Sequence, residues 1–166
     1  ELLLRAIHHD DLESDTGDIL SPTKNRTRKM RDGVDDMEIS SWEEKIEPIL
    51  PRSFRKDYKR YILHAKDETI EGRILAAADI IDTIYECVEE VMLGNKYFER
   101  TLVDVAEKLI PFELESVRYF LKFSLRDLGL PLDAYGINVV RYIETIEFDD
   151  AVFDNPYLIE EEDNKE

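Results

Sequence analysis

Residues 69–95 read TIEGRILAAADIIDTIYECVEEVMLGN, and this stretch decides the fold. Ile74, Ala77, Ala78, Ile81, Tyr85, Val88 and Met92 recur at three- and four-residue steps, the spacing of one helix face. Gly94-Asn95 supplies a C-terminal stop, so the pattern predicts a helix from Thr69 to about Leu93. Asp79 falls inside Ile74–Ile81, where every other residue is apolar, and that turn is expected to be buried all round. A buried carboxylate needs a metal, a basic side chain or a group of backbone amides. The plainer alternative is an Asp at a helix edge that reaches water.

Outward from this helix the signals stay helical. Helices are expected over 2–13, 53–66, 97–109, 112–128 and 133–145, divided by Pro111 and by Gly129-Leu130-Pro131. A loop is expected over Ser14–Lys24, then a basic helical segment to about Met30 with a break at Asp32-Gly33. Ser40-Ser41 ahead of Glu43 and Glu44 predicts a new helix start. No segment alternates with period two for long. The expectation is one all-α domain over 1–150 and a disordered acidic tail over 151–166, where the last seven residues hold five acids.

The 166 residues carry 39 acidic and 22 basic side chains, a net charge of −17, with 43% hydrophobic content. That charge argues against a nucleic-acid polymer or an anionic membrane surface as a general partner. No apolar run approaches the ~20 residues of a membrane span, and no signal-peptide pattern is present. Cys87 is the single cysteine, which excludes an internal disulfide and suits a cytoplasmic setting. Glu1 is not a methionine, and Leu2-Leu3-Leu4 reads as the middle of a buried helix. The expectation is that upstream sequence is missing.

Three groups carry chemistry. On a continuous helix His9, Asp10 and Glu13 share an arc with Leu2 and Ala6, so they are expected to face inward, while His8 points elsewhere. Imidazole nitrogen and carboxylate oxygen are both good donors to a first-row metal ion. Glu13, one turn on, is placed to handle a proton of water. The His-Asp dipeptide alone better fits an N-terminal surface patch, with His9 partly buried and hydrogen-bonded. In the loop Thr16–Lys24, Gly17 permits a tight turn and Asp18 offers an acceptor to a hydroxyl-bearing ligand. Lys24 opens a block of five basic residues in eight, Lys24–Arg31; most of these fit a solvated helix face, and Lys24 lies nearest the loop.

Together these pieces resemble the HD-domain metal-dependent phosphohydrolases, in the YfbR-like 5′-deoxynucleotidase branch. That branch resembles HHDxxExxTGDxxTPxK followed by ExxxxxxADxxDxxxExxEExxxGN. Here the first runs from His8-His9-Asp10 through Glu13, Thr16-Gly17-Asp18 and Pro22 to Lys24, with Ser21 in place of the commoner Thr. The second runs from Glu71 through Ala78-Asp79, Asp82, Glu86 and Glu89-Glu90 to Gly94-Asn95. The resemblance covers residues 2 to about 130.

It implies a helical bundle and a divalent metal ion (Co, Mn, Zn or similar) held by His9, Asp10 and Asp79. It implies Glu13 in proton transfer, Asp18 and Lys24 near substrate, and a homodimer. The implied reaction is hydrolysis of a nucleoside 5′-monophosphate to nucleoside and phosphate. The family's first metal His lies upstream of the His-Asp pair, which again points to a missing first helix. A non-catalytic module that binds a nucleotide or a protein is the alternative. An alarmone hydrolase would carry a Glu-Asp pair where this chain has Glu13-Ser14.

Overall fold

The structure, a computed structural model, describes residues 1–148 apart from 18, 20 and 25. Asp18 and the acidic segment 151–166 lie outside the described residues. In chain order the helices are α1 (Leu2–His8), α2 (Glu13–Thr16), α3 (Ser21–Lys24), α4 (Arg28–Ser41), α5 (Arg52–Leu63), α6 (Ile70–Met92), α7 (Tyr97–Glu107), α8 (Glu115–Lys122) and α9 (Ile137–Thr145). Short 3-10 turns occupy Glu47–Ile49, Ser124–Leu128 and Leu132–Tyr135. No strand occurs among the described residues, and the architecture is all-α as the periodicity predicts. None of these helices is long and apolar enough to cross a membrane.

Two compact units divide the chain, Glu1–Asp82 and Thr83–Glu166, with the boundary inside α6. In the first, Leu12, Trp42 and Ile62 form a buried cluster, with Ile46, Leu50, Tyr58 and Leu63 packed against it. In the second, Leu102, Val105 and Ala106 of α7, Val117, Phe120 and Leu121 of α8, and Val139 and Ile143 of α9 are buried at helical steps. There Lys122 of α8 donates to the carbonyls of Ile143 and Ile146, both at 3.0 Å, at the end of α9, where Ile143 O also accepts from Ile146 N–H at 3.3 Å.

α6 ends as expected. Gly94 has φ +89°, its N–H donates to Val91 O at 2.9 Å, and Asn95 N–H donates to Glu90 O at 2.9 Å, the paired bonds of a Schellman motif. The buried side of α6 differs from the expected face. Leu75, Ala77, Ile84, Cys87 and Val88 are buried, whereas Tyr85 and Met92 are exposed. Apolar residues surround this helix on most sides over 74–81, so periodicity alone could not select the face.

The N-terminal third departs from expectation in several places. Helix 2–13 is two pieces, α1 and α2, joined by a turn over 9–12. Leu3 and Ile7 are exposed, and the buried residue of α1 is Arg5, which makes no contact with solvent. The stretch Ser14–Lys24 contains the short helices α2 and α3. The helix break at Asp32-Gly33 does not occur: Thr27, in extended conformation, caps α4 through its hydroxyl, which accepts from Met30 N–H at 3.1 Å. α4 then runs through Gly33 and past Ser40-Ser41 into a π-helical turn, Trp42–Ile46. The hydroxyls expected to start a new helix are instead used locally, Ser40 donating to Asp36 O and Ser41 to the Asp15 carboxylate.

Candidate functional site

α1 stops at His8 and leaves His9 as its C-cap, with His9 N–H bonded to Arg5 O at 2.9 Å. The His9 ring is fixed at both nitrogens. Nδ1 lies 2.9 Å from the Ala6 carbonyl, which can only accept, so Nδ1 carries the hydrogen. Nε2 then faces two carboxylates, Asp10 Oδ2 at 2.9 Å and Asp79 Oδ1 at 3.2 Å. A lone pair on Nε2 directed at two acceptors is unfavourable unless a proton or a metal cation stands between them. In donor chemistry and tautomer these three side chains suit a divalent ion. Their spacing is that of mutual hydrogen bonds, and among the described residues no group of three or more His, Cys, Asp and Glu side chains is arranged to hold an ion.

Asp79 is not buried all round. Its side chain is 44% exposed, and its partners include His9 and the Lys66 ammonium. Ala78 beside it is exposed too, so the helix edge passes through this turn. Asp10 and Glu13 are also exposed rather than inward-facing, because the helix wheel that placed them assumed an unbroken helix to residue 13. Glu13 opens α2, and its N–H bonds Asp10 O at 2.9 Å. His8 turns away as expected, to Asp11 at 2.7 Å and the Tyr58 ring at 4.8 Å.

Lys24 sits against α4, paired with Glu38 at 2.8 Å and Asp35 at 3.7 Å. An open groove of about 610 Å³ lies between α2 and α4, beside the loop that begins at Thr16. Asp15, Thr16, Asp36, Met37 and Lys45 line it. The Lys45 ammonium and the Ser41 hydroxyl on Asp15 hold that carboxyl below its ordinary value.

Two features escape a reading of the sequence. Lys66 reaches Asp79 from the turn between α5 and α6, and no motif marks it. Arg5 forks onto Asp67, Nη1 to Oδ1 at 2.7 Å and Nη2 to Oδ2 at 3.1 Å. It also donates to Glu1 at 2.9 Å and to Ala65 O at 2.8 Å. Arg5 and then Thr69 hold the Asp67 carboxyl well below the usual carboxylate range, while Asp67 raises the Arg5 guanidinium. A lone Arg within Leu2–Ile7 was the available signal, since a charge on an apolar helix needs a partner.

A sequence model of the family described as 5′-deoxynucleotidase YfbR-like matches residues 1–128. The chain belongs to this HD-domain family. It is 28% identical over 132 residues to a 5′-deoxynucleotidase of Vibrio vulnificus, covering 77% of this chain and 66% of that protein. It is 29% identical over 136 residues to one of Vibrio parahaemolyticus, covering 80% and 68%. A third, from Photorhabdus laumondii, is 24% identical over 138 residues, covering 83% and 70%. The chain thus spans about two thirds of the length of these relatives. No solved structure matches it.

Proposed function

We propose that this chain is a metal-dependent phosphohydrolase acting on (deoxy)nucleoside 5′-monophosphates, which it cleaves to nucleoside and inorganic phosphate. The observation that carries the reading is His9 Nε2 facing Asp10 and Asp79 within a YfbR-like chain. His9, Asp10 and Asp79 would hold a divalent ion such as Co²⁺, Mn²⁺ or Zn²⁺. When bound, such an ion lowers the pKa of water and offsets phosphoryl charge.

Each residue then has a task. The Ala6 carbonyl keeps the His9 ring in one tautomer and one orientation. Glu13 accepts the proton of the attacking water, whose oxygen bonds to phosphorus as the bond to the sugar oxygen breaks. The leaving sugar oxygen takes the proton that Glu13 then carries, so the nucleoside departs as its alcohol. Asp18 is assigned to the sugar, and Lys24 contacts substrate by exchanging its pairing with Glu38 and Asp35. The groove beside Thr16 has the volume of a small-molecule site. The chain acts as a homodimer in this reading, which light scattering of the purified protein tests.

The experiment is incubation of the protein with deoxynucleoside monophosphates and Co²⁺ or Mn²⁺, with free phosphate as the readout. Absence of phosphate release under every divalent ion overturns the reading. One observation favours a second reading, a non-catalytic nucleotide-binding module: the donor side chains are spaced to bond one another. Saturable binding of a deoxynucleoside monophosphate without any turnover would establish it.

A further inference from the structure

We infer that Lys66 is a phosphate-binding residue of the candidate site, an assignment that rests on the phosphohydrolase reading above. His9, Asp10 and Asp79 present two carboxylates to whatever approaches them, and a phosphate monoester is itself an anion. With a neutral imidazole the three side chains sum to a charge of about −2, which a bound divalent ion would only balance, leaving no net attraction for phosphate. Lys66, an ammonium paired with Asp79, adds one positive charge beside the cluster. An ammonium has three N–H donors, and its pairing with Asp79 leaves capacity for phosphoryl oxygens. At 38% exposed, the Lys66 side chain can reach a ligand arriving from solvent.

The backbone that carries Lys66 is fixed, which separates it from an ordinary surface lysine. Its neighbour Ala65 is buried and gives its carbonyl to Arg5 at 2.8 Å. Its other neighbour, Asp67, takes the Arg5 fork, and it also accepts from Thr69 N–H at 3.1 Å. The four-carbon stem therefore extends from an anchored backbone and carries its ammonium to Asp79. Ion pairs between freely exposed chains contribute little, and the anchored backbone is what sets this one apart.

The test uses Mn²⁺ and inorganic phosphate as probes, with calorimetry as the readout, on wild type, Lys66→Met and Lys66→Arg. Mn²⁺ binds Lys66→Met no more weakly than wild type, since only a competing cation has gone. Phosphate binds the Mn²⁺-loaded Lys66→Met protein about tenfold more weakly, and Lys66→Arg recovers most of that loss. Phosphate binding at wild-type strength in Lys66→Met overturns the assignment. Loss of Mn²⁺ and phosphate together also overturns it, because that marks a role confined to shape. If wild type takes up none of Mn²⁺, Co²⁺ and Zn²⁺, the phosphohydrolase reading itself falls and the assignment falls with it. If wild type binds both probes and only the Lys66 variants fail to differ, the reading stands without Lys66.

Discussion

His9 Nε2 lies 3.2 Å from Asp79 Oδ1, two atoms that are seventy residues apart in the chain. The turn after α1 supplies one and the middle of α6 the other, so the contact exists only in the folded protein. If a divalent ion is held here, the charge of Asp79 is what an amide cannot replace. Asp79→Asn keeps the size and can still hydrogen-bond to the imidazole, yet it should lower Mn²⁺ affinity at least about tenfold. Titration followed by the resonance of free Mn²⁺ measures this. Equal affinity in the variant would remove Asp79 from the ion's donors.

Glu13 is assigned a proton and no bond to the ion, so its loss should separate chemistry from metal binding. Glu13→Gln should reduce phosphate release by about 10²–10⁴-fold, the usual contribution of a positioned general base. Its Mn²⁺ content should stay near that of wild type. A variant that loses metal in proportion to activity would place Glu13 among the ion's donors instead.

Arg5 ties α1 to the turn ahead of α6, and its partners are acids whose carboxyls are held low. Glu1 is lowered chiefly by Arg5, and Asp67 by Arg5 and then Thr69. Because the folded values lie below the ordinary 4.5 and 3.8, the folded state binds fewer protons than the unfolded chain across that interval. The stabilisation is complete above about pH 5 and is lost as pH falls through 4 and below. Arg5→Leu should lower Tm at neutral pH by on the order of 5–10 °C. It should also flatten the loss of urea resistance between pH 6 and 3. A variant with the wild-type acid slope would show that the slope arises elsewhere, with Asp15 beside Lys45 the next group to test.

Much of the fold was legible in local pattern. The span of α6 and its Gly94 stop follow from spacing and turn chemistry, and the buried steps of α7, α8 and α9 follow from apolar periodicity. The misreadings arise where a cap, tertiary packing or an early helix end overrides a local signal. Asp32-Gly33 looks like a break, yet Gly33 lies within a helix capped by Thr27 and followed directly by the buried Trp42. Asp10 and Glu13 look inward on a wheel, yet the helix ends at His8. Of the candidate site, His9, Asp10 and Asp79 were visible because they sit in motifs. Lys66 and Asp67 were not, since a lysine and an aspartate in a polar turn carry no pattern until the fold brings Asp79 and Arg5 to them.

Gly72 offers a test of that turn in which the sign of the effect is reversed from the usual one. In an exposed helix interior, replacing Gly by Ala stabilises by about 0.5–1 kcal/mol. Gly72 is buried in the first turns of α6, and a Cβ there would lie 2.2 Å from Asp67 O and 2.6 Å from Asp67 N. These are backbone atoms that a rotamer change cannot move, and Asp67 is pinned by Arg5 and Thr69. Gly72→Ala should therefore destabilise the protein by more than about 1 kcal/mol, despite the better helix propensity. Because the displaced turn also carries Lys66, the variant should weaken phosphate binding along with stability. Urea unfolding checks the first effect and calorimetry the second. A neutral or stabilising result would mean that the turn relaxes freely, and the rigid placement of Lys66 beside Asp79 would then lose its support.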